Sequence, residues 1–197
     1  GILHNRSDIR GVTFRGRGGV FCAGGDLKGF RFLMQQGVDH AEVAAFSREA
    51  GLLFHEVNEL PQVTVMLVEG AAMAGGLGLV CAGDVIAVTR DAQFALTETM
   101  LGIPPAQIAP LVVQRIGLSA ARRIMLTGAR FDGAEAQTIG VADHLAEDAA
   151  GLDTFEAGIR AAVQRCAPGA NAATKRIVLA APHLNRAEML DTAADGF

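Results

Sequence analysis

The chain has 197 residues, half of them hydrophobic, enough for one large core with at most a small appendage. Its 21 acidic and 17 basic residues leave a net charge of −4 with no basic run, which argues against nucleic acid as the main partner. Three cysteines, Cys22, Cys81 and Cys166, have neither a metal-site spacing nor an even number, and so read as free thiols of a reducing compartment.

Gly11 to Phe14 reads as a buried strand, feeding a glycine-rich turn, GRGGVFCAGGDLK, over Gly16 to Lys28. Asp26 to Met34 reads as helical or irregular, and Gln35 to His40 as a surface loop. From Ala41 to Leu60, Val43, Phe46, Leu52, Leu53, Phe54 and Val57 recur at helical spacing among charged residues, which predicts an amphipathic helix stopped by Pro61. Val63 to Val68 is an apolar, β-branched run of strand length. The stretch VEGAAMAGGLGLVCAG, Val68 to Gly83, combines five glycines with alanines, and Gly75 to Cys81 has the apolar content to begin a buried helix. N–H groups left bare by glycine at a helix start attract anions or a developing oxyanion, although close packing alone also accounts for such a cluster. This apolar region is interrupted by Glu69 and Asp84 and dense in glycine, so it fails as a membrane span. No signal peptide is visible at the start, and the cytoplasm is the expected location.

Asp84 to Thr89 reads as a further buried strand and Gln93 to Ala95 as a short extended piece. Beyond Pro110 the pattern turns helical: Ser119 to Leu126 ends at Gly128, and Asp132 with Glu135 opens a helix ending at Gly140. Phe155 to Cys166 and Ala172 to Ala181 read as amphipathic helices, and Asn185 with Glu188 caps a last one running to Phe197. Strand, glycine turn, helix and strand recur twice, which sets the class as α/β.

Four blocks, FCAGGDLK, GAAMAGGLGL with CAGD, AQFALTETMLGIPP and LTGARFDGAEAQTIGVAD, resemble the enoyl-CoA hydratase/isomerase (crotonase) family in order and spacing, from about Gly11 to Asp143. The resemblance implies a spiral of repeated strand-strand-helix turns followed by a C-terminal helical region. It divides the chain into a spiral core, 1–143, lacking the family's N-terminal part, and a truncated trimerisation region, 144–197. It implies an acyl-CoA substrate, no separate cofactor because coenzyme A belongs to the substrate, no metal, no membrane, and a homotrimer or dimer of trimers.

Residue by residue, the resemblance assigns the backbone N–H groups of Gly25 and Gly75 to an oxyanion hole and Glu98 to acid/base catalysis. Thr97 precedes Glu98 where the family often has proline. Ala23, Gly24, Asp26, Lys28, Gly76 and Gln107 are expected around the substrate. Asp26 reads better as a turn-stabilising side chain than as a catalyst. Lys28 is as well explained by solvent as by a CoA phosphate. Gln107, between Pro105 and Pro110, is expected to aim its amide into the acyl pocket. Many hydratases of the family carry a second glutamate where this chain has Gly78, so the two-carboxylate mechanism does not transfer. The segment LGIPPAQIAPLVVQRIG resembles the branch of methylglutaconyl-CoA and isohexenylglutaconyl-CoA hydratases. The reading is therefore an enoyl-CoA hydratase, with a Δ3,Δ2-enoyl-CoA isomerase as rival and a non-catalytic acyl-CoA-binding protein as the alternative of another class. The five histidines are scattered and carry no assigned role.

Overall fold

A computed structural model describes residues 2–25 and 39–197. Successive strand pairs split between two four-stranded sheets. β1 (Gly11–Arg15), β3 (Val63–Val68), β5 (Val85–Thr89) and β8 (His144–Ala146) form a parallel sheet in that order. β2 (Val20–Cys22), β4 (Ala71–Met73), β6 (Gln93–Ala95) and β7 (Arg130–Asp132) form the second, in which only β7 runs antiparallel to its neighbour. Helix α1 (His40–Asn58) follows β2 and α2 (Gly75–Cys81) follows β4. Each of the first three turns of chain therefore lays one strand in each sheet and then a helix, the spiral expected from the sequence.

The local sequence explains the elements. β3 reads VTVMLV without alternation because both of its faces are covered. Met66 and Val68 point into the main core with Leu77, Val80, Ile86, Val88 and Phe94, while Val65 and Leu67 face Ala87 and Leu152 on the other side. Leu152 lies on α5 (Ala149–Gln164), which packs across that outer face. Phe94 is fully buried and stacks on Phe131 at 5.2 Å, tying β6 to the antiparallel β7.

Helix α3 (Ala109–Thr127) begins ten residues before the predicted Ser119 and is broken at Gly117 (φ 74°, ψ 164°), so that periodicity exposed only its second half. Gly128 ends it in the left-handed region, as its place predicted. Asp132 caps α4 (Gly133–Thr138) by accepting the Glu135 N–H at 2.9 Å. Asn185 and Glu188 form a reciprocal capping box at the start of α7 (Arg186–Asp195). α5 begins earlier than the predicted Phe155, at an unforeseen cap where Asp148 accepts the Gly151 N–H. Pro168 likewise starts α6 (Pro168–Ala180) one turn before Ala172.

Two readings change. Gly11 to Phe14 is a strand but not a buried one: β1 pairs only with β3 among the described residues, and its positions alternate between exposed and half-buried. His40, assigned to a loop, is the first residue of α1, while 26–38 lie outside the described residues. β8 lies just past residue 143 and is the fourth strand of the parallel sheet. No helix among the described residues is long and apolar enough to cross a membrane.

Candidate active site

The two glycine loops meet. Gly76 has no room for a side chain, because a Cβ there would overlap the Cys22 carbonyl at the end of β2. Gly24 adopts φ +92°, open to glycine at little cost, and a Cβ on it would stand 3.0 Å from the Met73 carbonyl, 3.1 Å from the Ala74 Cβ and 3.7 Å from the Gly75 nitrogen. The backbone of the first loop thus runs beside the entry to α2. Ala23 and Gly25 are exposed there, and a Cβ on Gly25 would meet nothing within 4 Å among the described residues. Asp26 and Lys28 lie outside the described residues.

Ala74 sets the direction of the second loop. Its φ of 51° with ψ −122° is a strained conformation for a non-glycine residue, and it is pinned by an N–H bond to the Ala95 carbonyl at 2.8 Å. The Ala74 carbonyl accepts the N–H groups of Leu77 and Gly78. The N–H of Gly75 has no acceptor among the described residues.

Glu98 opens a short 3-10 turn, Glu98–Leu101, just after β6. The turn is closed by Gly102 in the left-handed region and by Ile103, whose N–H reaches the Glu98 carbonyl at 3.1 Å. Thr99 ties it to α3 by donating to the Met125 carbonyl at 3.1 Å. The Glu98 side chain is half-buried, and its Oε2 is buried without a hydrogen-bond partner among the described residues. Burial therefore pushes its pKa above the usual carboxylate value, opposed only by a hydrogen bond from its own backbone.

Glu98 and Gly75 line one cavity of about 440 Å³. Its walls are one face of α1, including His40, Val43, Ala44, Ser47 and Ala50, and the Ile103 to Ile108 segment. Gln107 lines it too, donating from Nε2 to Ser47 Oγ at 3.1 Å. A groove of about 460 Å³ between β1 and α5 holds none of the expected site residues. Glu69 is paired with Arg15 and does not line the Glu98 cavity.

Position 78 is closed: a Cβ there would overlap the Cγ2 methyl of the buried Ile108. Where many relatives place a second glutamate, this chain packs an isoleucine branch, so Glu98 is the one carboxylate lining the cavity among the described residues. Among those residues no cluster of His, Cys, Asp or Glu is arranged to hold a metal ion. Sequence reasoning missed His40, Ser47 and Ile108 as lining residues. The available signal was the stripe His40, Val43, Ala44, Ser47, Ala50, at one-turn spacing with small residues facing the cavity.

The enoyl-CoA hydratase/isomerase family model matches residues 2–194. The chain is 44% identical to Pseudomonas aeruginosa AtuE over 98% of its own length and 76% of that chain, with a TM-score of 0.92. A Marinobacter aquaeolei enoyl-CoA hydratase/isomerase also superposes with a TM-score of 0.92, at 39% identity over 98% of this chain and 75% of the other. The human mitochondrial methylglutaconyl-CoA hydratase is 32% identical over 147 residues, 74% of this chain and 42% of that protein. The chain spans about half the length of the mitochondrial relatives it matches.

Proposed function

The chain belongs to the enoyl-CoA hydratase/isomerase family, and from that premise we propose that it adds water across the 2,3 double bond of a 2-enoyl-CoA thioester. In this reading the thioester oxygen accepts the N–H groups of Gly25 and Gly75, and the substrate's acyl chain fills the cavity beside Glu98. Glu98 takes a proton from water as the oxygen adds at C3. The enolate charge settles on the thioester oxygen, where one backbone donor is worth about 3 kcal/mol in the transition state. Glu98 then returns the proton to C2, so a single carboxylate acts first as base and then as acid. Coenzyme A enters as part of the substrate, and the chemistry needs no separate cofactor or metal.

The observation that carries this reading is the buried Oε2 of Glu98, without a partner among the described residues, in an otherwise largely apolar cavity shared with Gly75. A carboxylate serving only the fold would have its buried oxygen paired. The test is loss of the 2-enoyl absorbance when the protein is mixed with crotonyl-CoA and with carboxylated and branched enoyl-CoAs. An unchanged spectrum with every ester would overturn it.

The isomerase reading is favoured by one observation, the Ile108 methyl that fills the place beside Gly78 and leaves a single acid. One carboxylate suffices to carry a proton between C4 and C2. Conversion of a 3-enoyl-CoA to its 2-enoyl isomer without hydration would select it. A non-catalytic acyl-CoA-binding role is disfavoured by the unpaired Glu98. The assembly proposed is a homotrimer or dimer of trimers, supported by the exposed apolar side chains Phe46, Leu52, Leu53, Leu118 and Leu126.

A further inference from the structure

We propose that Gln107, seated in a notch made by Gly51, sets how much bulk the acyl group carries close to its reacting carbons. The proposal rests on the reading that the thioester sits at Gly75. Along α1 the lining residues His40, Val43 and Ala44, Ser47 and Ala50 descend one face of the helix, a turn apart. The next turn brings Phe54, whose ring tip lies 3.4 Å from where a Cβ on Gly75 would stand. The cavity therefore runs along α1 from His40 to the Gly75 end, and the level of Ser47 and Gly51 is the last station before that end.

Gln107 crosses at this level from the opposite wall. Its Nε2 is held by Ser47 Oγ at 3.1 Å, and its side-chain carbonyl occupies the space that a Cβ on Gly51 would need. Glycine is the poorest ordinary residue inside a helix, and Gly51 is buried in the middle of α1. What its missing side chain makes room for is this amide. Neighbours on the two walls, Val43, Ala50, Ile103, Pro105 and Ile108, offer no hydrogen bond from a side chain, so Ser47 and the Gly51 notch together fix where the amide stands. An acyl chain that leaves Gly75 along α1 passes that amide at the level of Ser47 and Gly51, which makes its position a limit on branching near the thioester.

The test measures calorimetric affinities of butyryl-, isovaleryl- and hexanoyl-CoA, saturated esters that bind without reacting. Gln107→Ala is expected to improve isovaleryl-CoA relative to butyryl-CoA by about tenfold, the effect of relieving one methyl group in a tight pocket. Gly51→Ala drives the amide into the cavity and is expected to worsen the same ratio by about tenfold. The double variant has no amide to displace, so the Gly51→Ala effect should vanish in it. Thermal melts establish that each variant is folded, and if Gly51→Ala does not fold, Gln107→Ala decides alone. Parent binding of all three esters with ratios unmoved in Gln107→Ala overturns this proposal and leaves the proposed function standing. No binding of any CoA ester to the parent overturns both.

Discussion

Two carboxylates on neighbouring turns of the spiral are treated in opposite ways. Asp84, just before β5, has one oxygen fully engaged: its Oδ2 accepts the Thr64 N–H at 2.7 Å and the Thr64 hydroxyl at 2.9 Å, and pairs with Lys175 Nζ at 2.5 Å. Lys175 also donates to the Gln62 carbonyl, so this one cluster bolts α6 to the parallel sheet. Asp143 repeats the device, taking the Ile86 N–H and an Arg115 guanidinium N–H. Glu98, just after β6, has a buried oxygen with no partner among the described residues and a proton affinity raised by burial. The seam carboxylates give their lone pairs to the fold; the cavity carboxylate keeps one for a ligand.

The largest expected effect removes the titrating group from the unsatisfied member. Glu98→Gln keeps size and hydrogen-bonding capacity, and turnover should fall roughly 10²- to 10⁴-fold, the usual cost of lost acid/base catalysis. Binding of a saturated acyl-CoA should stay within a few-fold, because the proposed oxyanion donors are backbone groups. Steady-state rates beside calorimetry check this, and near-parent turnover would erase the contrast with Asp84.

Asp84→Ala should do the reverse. It strands the Lys175 ammonium, whose side chain is only 10% exposed, and removes the acceptor of the Thr64 N–H. Leaving a largely buried charge unpaired costs about 3 kcal/mol, to be read as a lower urea midpoint. Any residual loss of turnover should follow the unfolded fraction.

Gly78→Ala probes the closed position between these extremes. Overpacking against Ile108 costs about 2 kcal/mol, and replacing a helical glycine by alanine returns about 1 kcal/mol, so a net loss near 1 kcal/mol is expected. Ile108→Gly removes both the Cγ2 and the Cβ that a side chain at 78 would meet, and in that background Gly78→Ala should become stabilising. A Gly78→Ala chain as stable as the parent would mean that Ile108 moves freely and that this wall is soft.

What was legible in the chain was what short-range chemistry decides. The apolar run of β3, the glycine-opened α2, the Asp132 cap and the Asn185–Glu188 box each lie within a few residues of their cause. The family motifs singled out Glu98, Gly25 and Gly75, and the fold brings Glu98 and Gly75 to one cavity and sets Gly24 beside Gly75. The rest depends on partners distant in sequence. β1 is half-exposed because of what pairs with its edge, and β8 belongs to the sheet through β5, far back in the chain. Ser47 meets Gln107 across 60 residues, and Gly78 is closed by Ile108, the residue just ahead of α3. No local periodicity encodes either contact.

The smallest effect tests whether Glu98 is held at a cost to the fold. Its folded pKa lies above the value in the unfolded chain, with burial as the main cause. At acidic pH both states are protonated, and the carboxyl brings no penalty. As pH rises through the unfolded value, the unfolded chain releases this proton while the folded one retains it, so stability contributed by Glu98 declines until the folded value is passed. Glu98→Gln has no proton to lose and escapes that decline. The melting temperature of the variant minus that of the parent should therefore be lowest in acid, climb as pH rises through the unfolded value and level off once the folded value is passed. All other carboxylates are common to the two proteins and cancel in the difference. A difference independent of pH would mean that Glu98 is as well solvated in the cavity as in the unfolded chain, and one that fell with pH would mean that an unseen cation pairs with it, placing Glu98 in the same class as Asp84.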